Sequence, residues 1–144
     1  MRGFTLVELV LVILIAGILA AVVGPRFFDR QVFDDRLFYE EALGAVRYAQ
    51  KLALTSGCLT QVSLDSSGYR VRRAASCSSG AYSAEVMAAD GQSPMANLQP
   101  PSGLTIASTG FPLVFDSLGR PSGAASATLG AFTIRVAADT GLVQ

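Results

Sequence analysis

Histidine and tryptophan are absent from the 144 residues, and Lys51 is the sole lysine. Without histidine there is no common general base, no imidazole metal site and no Ser-His triad, which removes most hydrolase mechanisms. Charge is scarce as well. Ionisable residues make up 15% of the chain and hydrophobic ones 51%, against roughly 25% charged in an ordinary soluble domain, so some segment must be unusually apolar. The 11 basic and 11 acidic side chains cancel, which excludes any whole-molecule attraction to nucleic acid or anionic lipid and leaves only local patches. The length allows one domain at most.

The apolar segment runs from Phe4 to Gly24, with Glu8 as its sole ionisable side chain. It is long enough to cross a hydrocarbon core of about 30 Å as a helix. A secretory signal has a shorter apolar region, of about 7 to 15 residues, followed by a small-x-small cleavage site, so this run reads as a retained membrane span. Arg2 precedes it and places the N-terminus in the cytoplasm by the positive-inside rule. Cys58 and Cys77, an even pair beyond the span, agree with an oxidising compartment for the remainder.

Glu8 admits two accounts. Thr5 and Glu8 have the T-x-x-E spacing of a capping box, and an acid in the first turn favours the positive end of the helix dipole. Alternatively, a carboxylate in hydrocarbon, costing about 2.5 to 3.5 kcal/mol near the bilayer centre and less near its edge, seeks a cation on an adjacent chain. A newly exposed α-amino group would supply one.

Arg2-Gly3-Phe4-Thr5-Leu6-Val7-Glu8-Leu9, followed at once by the apolar run, resembles the prepilin signature of type IV pilins and type II secretion pseudopilins. The resemblance implies cleavage by a prepilin peptidase between Gly3 and Phe4, N-methylation of Phe4, retention of the span, and an assembly role for Glu8. Gly17 and Pro25 sit where helices of this family are interrupted. Pro25 lacks the N–H that a continuous helix uses, so a simple kink is the other reading. Phe27-Phe28-Asp29-Arg30, Arg47-Tyr48-Ala49-Gln50-Lys51, Ser56-Gly57-Cys58, Phe115-Asp116-Ser117-Leu118-Gly119-Arg120 and Thr140-Gly141 are similar to minor pilins of the GspH/FimT group, including those of mannose-sensitive haemagglutinin (MSHA) pili.

Beyond Pro25 the sequence turns charged. Phe38, Ala42, Ala45, Val46, Ala49, Leu52 and Ala53 then recur with helical period, with Glu40, Gly44, Arg47 and Lys51 opposite them. Gly57 is a suitable stop, and an unbroken helix from Phe4 to Ser56 would reach roughly 80 Å. From Cys58 onward Ser, Gly, Thr and Val in short alternating runs indicate a β-rich head. Strands are expected at Leu59 to Leu64 and Tyr69 to Arg73 around a turn at Asp65 to Gly68. Further strands are expected at Leu104 to Ala107, Leu113 to Asp116 and Ala131 to Ala137, with an edge strand at Gly141 to Gln144. Ser76 to Ser102 reads mainly as loop with a weak strand at Ala84 to Met87. The expected fold is therefore α+β: leader 1–3, assembly helix 4–24, amphipathic helix 25–56, and antiparallel head 57–144.

The first expected hairpin brings Cys58 and Cys77 near each other, favouring a disulfide over a metal or redox pair, since there is no His, no third Cys and no C-x-x-C spacing. Asp139-Thr140-Gly141 matches the aspartic protease tripeptide, but it occurs once, close to the C-terminus, and reads as a turn. Asp34-Asp35 and Glu40-Glu41 are neighbours on a helix, point in different directions, and are expected in solvent or at subunit contacts. Arg70, Arg72 and Arg73 form the head's basic cluster, with Arg70 and Arg72 on one strand face; they are the candidate nucleic-acid contact, although a solvated face is the default.

The expected function is non-enzymatic, with no metal and no cofactor: a minor pilin that joins a filament through its N-terminal helix and helps to start, cap or display it. Its expected partners are other pilin subunits, the prepilin peptidase and, before assembly, the bacterial inner membrane, with the head in the periplasm. Nucleic acid is not an expected partner. A type II secretion pseudopilin is the nearest alternative, then a DNA-uptake minor pilin; a membrane-anchored enzyme or receptor with an uncut N-terminus belongs to a different class.

Overall fold

A computed structural model describes residues 5–27 and 30–144, including their side chains outside 22–27. Contacts divide the chain into two units, Met1–Phe33 and Asp34–Gln144. In the first, helix α1 spans Leu6–Phe27. It includes Gly17 and Pro25, the two positions at which the resemblance implies interruption in assembled filaments.

Helix α2 spans Arg30–Ser56. Its sequence puts Phe38, Ala42, Ala45, Val46, Ala49 and Ala53 on one stripe, all no more than 2% exposed, with the buried Leu43 beside them. Glu40, Gly44, Arg47 and Lys51 lie on the exposed face, as the periodicity implies. Leu52 is only half-buried, and Leu43 widens the buried stripe beyond the expected residues. The helix stops at Gly57, whose positive φ of 69° lets its N–H return 2.9 Å to the Ala53 carbonyl.

The head contains β1 (Thr60–Asp65), β2 (Gly68–Arg73), β3 (Ala84–Glu85), β4 (Ala96–Asn97), β5 (Ile106–Thr109), β6 (Leu113–Phe115), β7 (Ala125–Leu129) and β8 (Phe132–Val136). One sheet has the order β3-β2-β1-β6, with β4 also pairing with β2; the second has the order β5-β7-β8. All pairings are antiparallel. The architecture is α+β, a helix packed on antiparallel sheets. Val62, Leu64, Val71, Leu113, Phe115, Leu129 and Ile134 point into the same core as the α2 stripe. The small alanines of α2 let the sheet residues approach its backbone closely. Phe38 meets Tyr69 with ring centroids 5.8 Å apart, and Tyr39 stacks on Phe132 at 5.0 Å.

Several strands differ from the sequence reading: β4 at Ala96–Asn97 lies in a stretch read as loop, and β3 is confined to Ala84–Glu85. β7 was not expected, because Ala-Ser-Ala-Thr-Leu has little β-propensity; yet its alternate residues Ala125, Ala127 and Leu129 are buried. β5 begins two positions later than Leu104, since Ile106 pairs with Leu129. Gly141 to Gln144 forms no full strand, but an isolated bridge joins Val143 to Val136, and Arg135 and Gln144 exchange both backbone bonds.

Candidate functional site

At the start of α1, the Thr5 hydroxyl accepts a bond from the Glu8 N–H at 3.3 Å, and the Leu9 N–H reaches the Thr5 carbonyl at 3.2 Å. Thr5 therefore caps the helix, satisfying one of its otherwise orphaned first-turn donors. Glu8 itself is exposed, one turn into the helix. Its neighbours are exposed as well: Leu6 by 79%, Val7 by 72% and Leu9 by 59%. Val10, Leu11, Val12, Ile13, Leu14, Ile15, Ile18 and Leu19 continue that surface. A helix apolar on every side is stable in bulk only when other apolar groups cover it.

Among the described residues no helix is long and apolar enough to cross a membrane. The span expected from Phe4 to Gly24 starts at a residue outside the described ones and ends among side chains that are likewise outside them. The processing positions Gly3 and Phe4, with Arg2, also lie outside the described residues.

In the head, Cys58 and Cys77 form a disulfide with Cα atoms 4.4 Å apart. The backbone brings them together independently: the Leu59 N–H donates to the Cys77 carbonyl at 2.8 Å and the Ala74 N–H to the Leu59 carbonyl at 2.9 Å. The bond thus ties the end of α2 to the loop after β2.

The three arginines separate. In β2, Tyr69 and Val71 are buried while Arg70 and Arg72 share the outer face. Arg73 pairs with Thr60, a core residue, and so falls on the opposite face, in a hollow with Tyr48, Leu52 and Glu85. Arg72 Nη2 lies 4.0 Å from Glu85 Oε1 across the β2–β3 pair. The basic cluster of the sequence is thus a pair plus an outlier.

The acidic neighbours also take different roles. Arg36 pairs with Glu40 at 3.9 Å on the surface, a contact of little energetic weight. Glu41 Oε2 instead accepts a 2.9 Å bond from Asn97 Nδ2, joining α2 to β4, so it is a structural anchor and not a solvated acid. Burial, with the Glu41 charge adding to it, pushes the Tyr69 phenol up to about 12. Asp34 is exposed, and Asp35 has a buried Oδ1 with no hydrogen-bond partner.

Asp139-Thr140-Gly141 is a turn: the Thr140 hydroxyl accepts from the Leu142 N–H at 3.2 Å, and the Gly141 N–H donates to the Ala137 carbonyl at 2.8 Å. Sequence reasoning missed Gln50, which bonds to this turn from α2. It also missed the concavity where Gln61, Ser63, Arg70 and Arg72 meet. The signal for the latter was the alternation of β1, which places Gln61 and Ser63 outward opposite the arginines.

Residues 1–24 match the prokaryotic N-terminal methylation motif. No curated protein and no solved structure matches the chain. The chain thus combines a type IV prepilin-like N-terminal motif with an α+β fold.

Proposed function

We propose that the chain is a minor pilin, processed by a prepilin peptidase and inserted through α1 into a type IV pilus, where it helps to start, cap or display the filament. The observation that carries this reading is helix α1, apolar on every side and exposed throughout its described side chains 6–21, capped by Thr5 and bearing Glu8 in its first turn. The methylation motif over the same residues agrees with it.

Hydrolysis after Gly3 frees the Phe4 amine, which stays cationic after methylation. That cation meets the Glu8 carboxylate of a neighbouring subunit, offsetting the cost of holding an acid in an apolar surrounding. Because the amine exists only after the cut, assembly follows processing. Before assembly the span lies in the inner membrane with the head in the periplasm, where the Cys58–Cys77 disulfide can persist. Helical order between Gly17 and Pro25 is lost, in this reading, only when neighbours in the filament satisfy the freed carbonyls. The resemblance of the short motifs at Phe27 to Arg30, Arg47 to Lys51 and Ser56 to Cys58 to the MSHA minor pilin MshC supports an MSHA-type filament as the setting.

The test is Glu8→Ala in cells. The variant should insert in the inner membrane as wild type does, yet be missing from sheared filaments. Equal recovery of both proteins from the sheared fraction contradicts the charge-pairing account; recovery only from a secretion complex replaces the pilus with a pseudopilus.

A further inference from the structure

The outer face of the first sheet is not flat. A concavity of about 370 Å³ is lined by Gln61, Ser63, Arg70 and Arg72, with Asp65 and Ser67 at the hairpin tip and Leu98 and Pro112 as flanks. The register creates it: Gln61 pairs with Arg72 and Ser63 with Arg70, so four polar side chains stand on one face of two adjacent strands. Gly68 makes the Leu98 flank possible, because a Cβ there would overlap the Asn97 carbonyl and the Leu98 backbone. Pro112 closes the other side, one residue before Leu113, the partner of Val62.

The guanidinium groups in this hollow are incompletely paired. Arg72 Nε is buried without a hydrogen-bond partner among the described residues, and its guanidinium meets Glu85 only at 4.0 Å, at the edge of ion-pair range. Arg70 makes no ion pair among the described residues. The acid in the lining is Asp65, whose Oδ1 accepts from both the Ser67 N–H and the Ser67 hydroxyl. Those bonds hold it below the ordinary carboxylate range, so it stays anionic. The hollow is therefore polarised, with two guanidinium forks along β2 and a fixed anion with two serine hydroxyls toward the tip.

We propose that this concavity is an oxyanion-binding site for a small ligand bearing a carboxylate or phosphate group. Guanidinium groups bind such planar or tetrahedral oxyanions through paired N–H donors. Leu98 and Pro112 offer apolar walls, and the Ser63 and Ser67 hydroxyl oxygens, whose protons go to the Arg70 carbonyl and to Asp65, can accept from hydroxyl groups on the remainder of the ligand. All of its lining residues lie in the head, between Gln61 and Pro112.

Calorimetric titration of the full chain in detergent micelles at low salt tests it, with glucuronate and inorganic phosphate as separate probes and glucose as the neutral control. At least one anion should bind saturably, and which one does distinguishes a carboxylate from a phosphate ligand. Arg70→Gln and Arg72→Gln should each weaken it about tenfold, while Arg73→Gln, on the other face, leaves it unchanged. Should the glutamine variants fail to fold, Arg70→Lys and Arg72→Lys keep the charge and remove the fork, and should still weaken binding. No saturable heat from either anion overturns the proposal, as does an equal loss on Arg73→Gln. Binding of an oligonucleotide with neither small anion bound also overturns it, in favour of a polynucleotide surface.

Discussion

The side-chain amide of Gln50 donates to the Gly141 carbonyl at 3.0 Å, and its Nε2 also reaches the Gly119 carbonyl at 3.0 Å. One amide on α2 thus fixes two loops distant in sequence. Arg47 extends the same line with a 3.3 Å bond to the Val143 carbonyl. Gly141 has φ 67°, and an added Cβ would stand 2.5 Å from Gln50 Nε2 and 2.9 Å from the Gly119 oxygen.

From this arrangement, Gln50→Ala should destabilise the head by about 1–3 kcal/mol, the cost of leaving acceptors without their donor. Gly141→Ala should be at least as damaging, because it combines strained φ with overlap. Urea unfolding of both variants checks this; midpoints equal to wild type would mean the clamp contributes nothing.

Reducing the Cys58–Cys77 bond should lower stability by about 3 kcal/mol, the chain-entropy value for a closed loop of roughly 20 residues. Thermal unfolding with and without reductant reads this directly, and Cys58→Ser with Cys77→Ser should reproduce the reduced value.

Opposite faces of α2 should respond oppositely to added volume. Ala49 is fully buried, so Ala49→Leu should cost about 1–3 kcal/mol through overpacking. Gly44 has nothing within 4 Å of a built Cβ, so Gly44→Ala should stabilise by about 0.5–1 kcal/mol through helix propensity. The same unfolding measurement serves for both.

Tyr69 gives a pH dependence. Its phenol is raised from 10.0 to about 12 by burial and by Glu41. The unfolded chain therefore loses this proton first as pH rises, and the folded state holds more protons across that window. The stabilisation is complete below pH 10 and disappears as pH passes through about 12. Tyr69→Phe should flatten this part of the stability profile; an identical slope in the variant would contradict the assignment.

What could be read from the sequence was whatever repeats or alternates strongly. The α2 stripe and the β1–β2 hairpin follow from side chains whose period matches their element. The alanine-rich β7 could not be read, because burial there comes from its place between β5 and β8 and not from its own residues. Glu41 and Gln50 looked like ordinary helix residues, and their partners lie 56 and 91 positions away. Such roles are set by tertiary approach, which no local pattern encodes. The N-terminal motif was legible for the opposite reason: its chemistry is confined to adjacent residues.

The most direct test of the central claim is the intact mass and N-terminal sequence of the protein extracted from native membranes. The account predicts a chain that begins at Phe4 with a methylated amine. A chain that retains Met1, Arg2 and Gly3 would contradict it, because the cation proposed to meet Glu8 would never have formed.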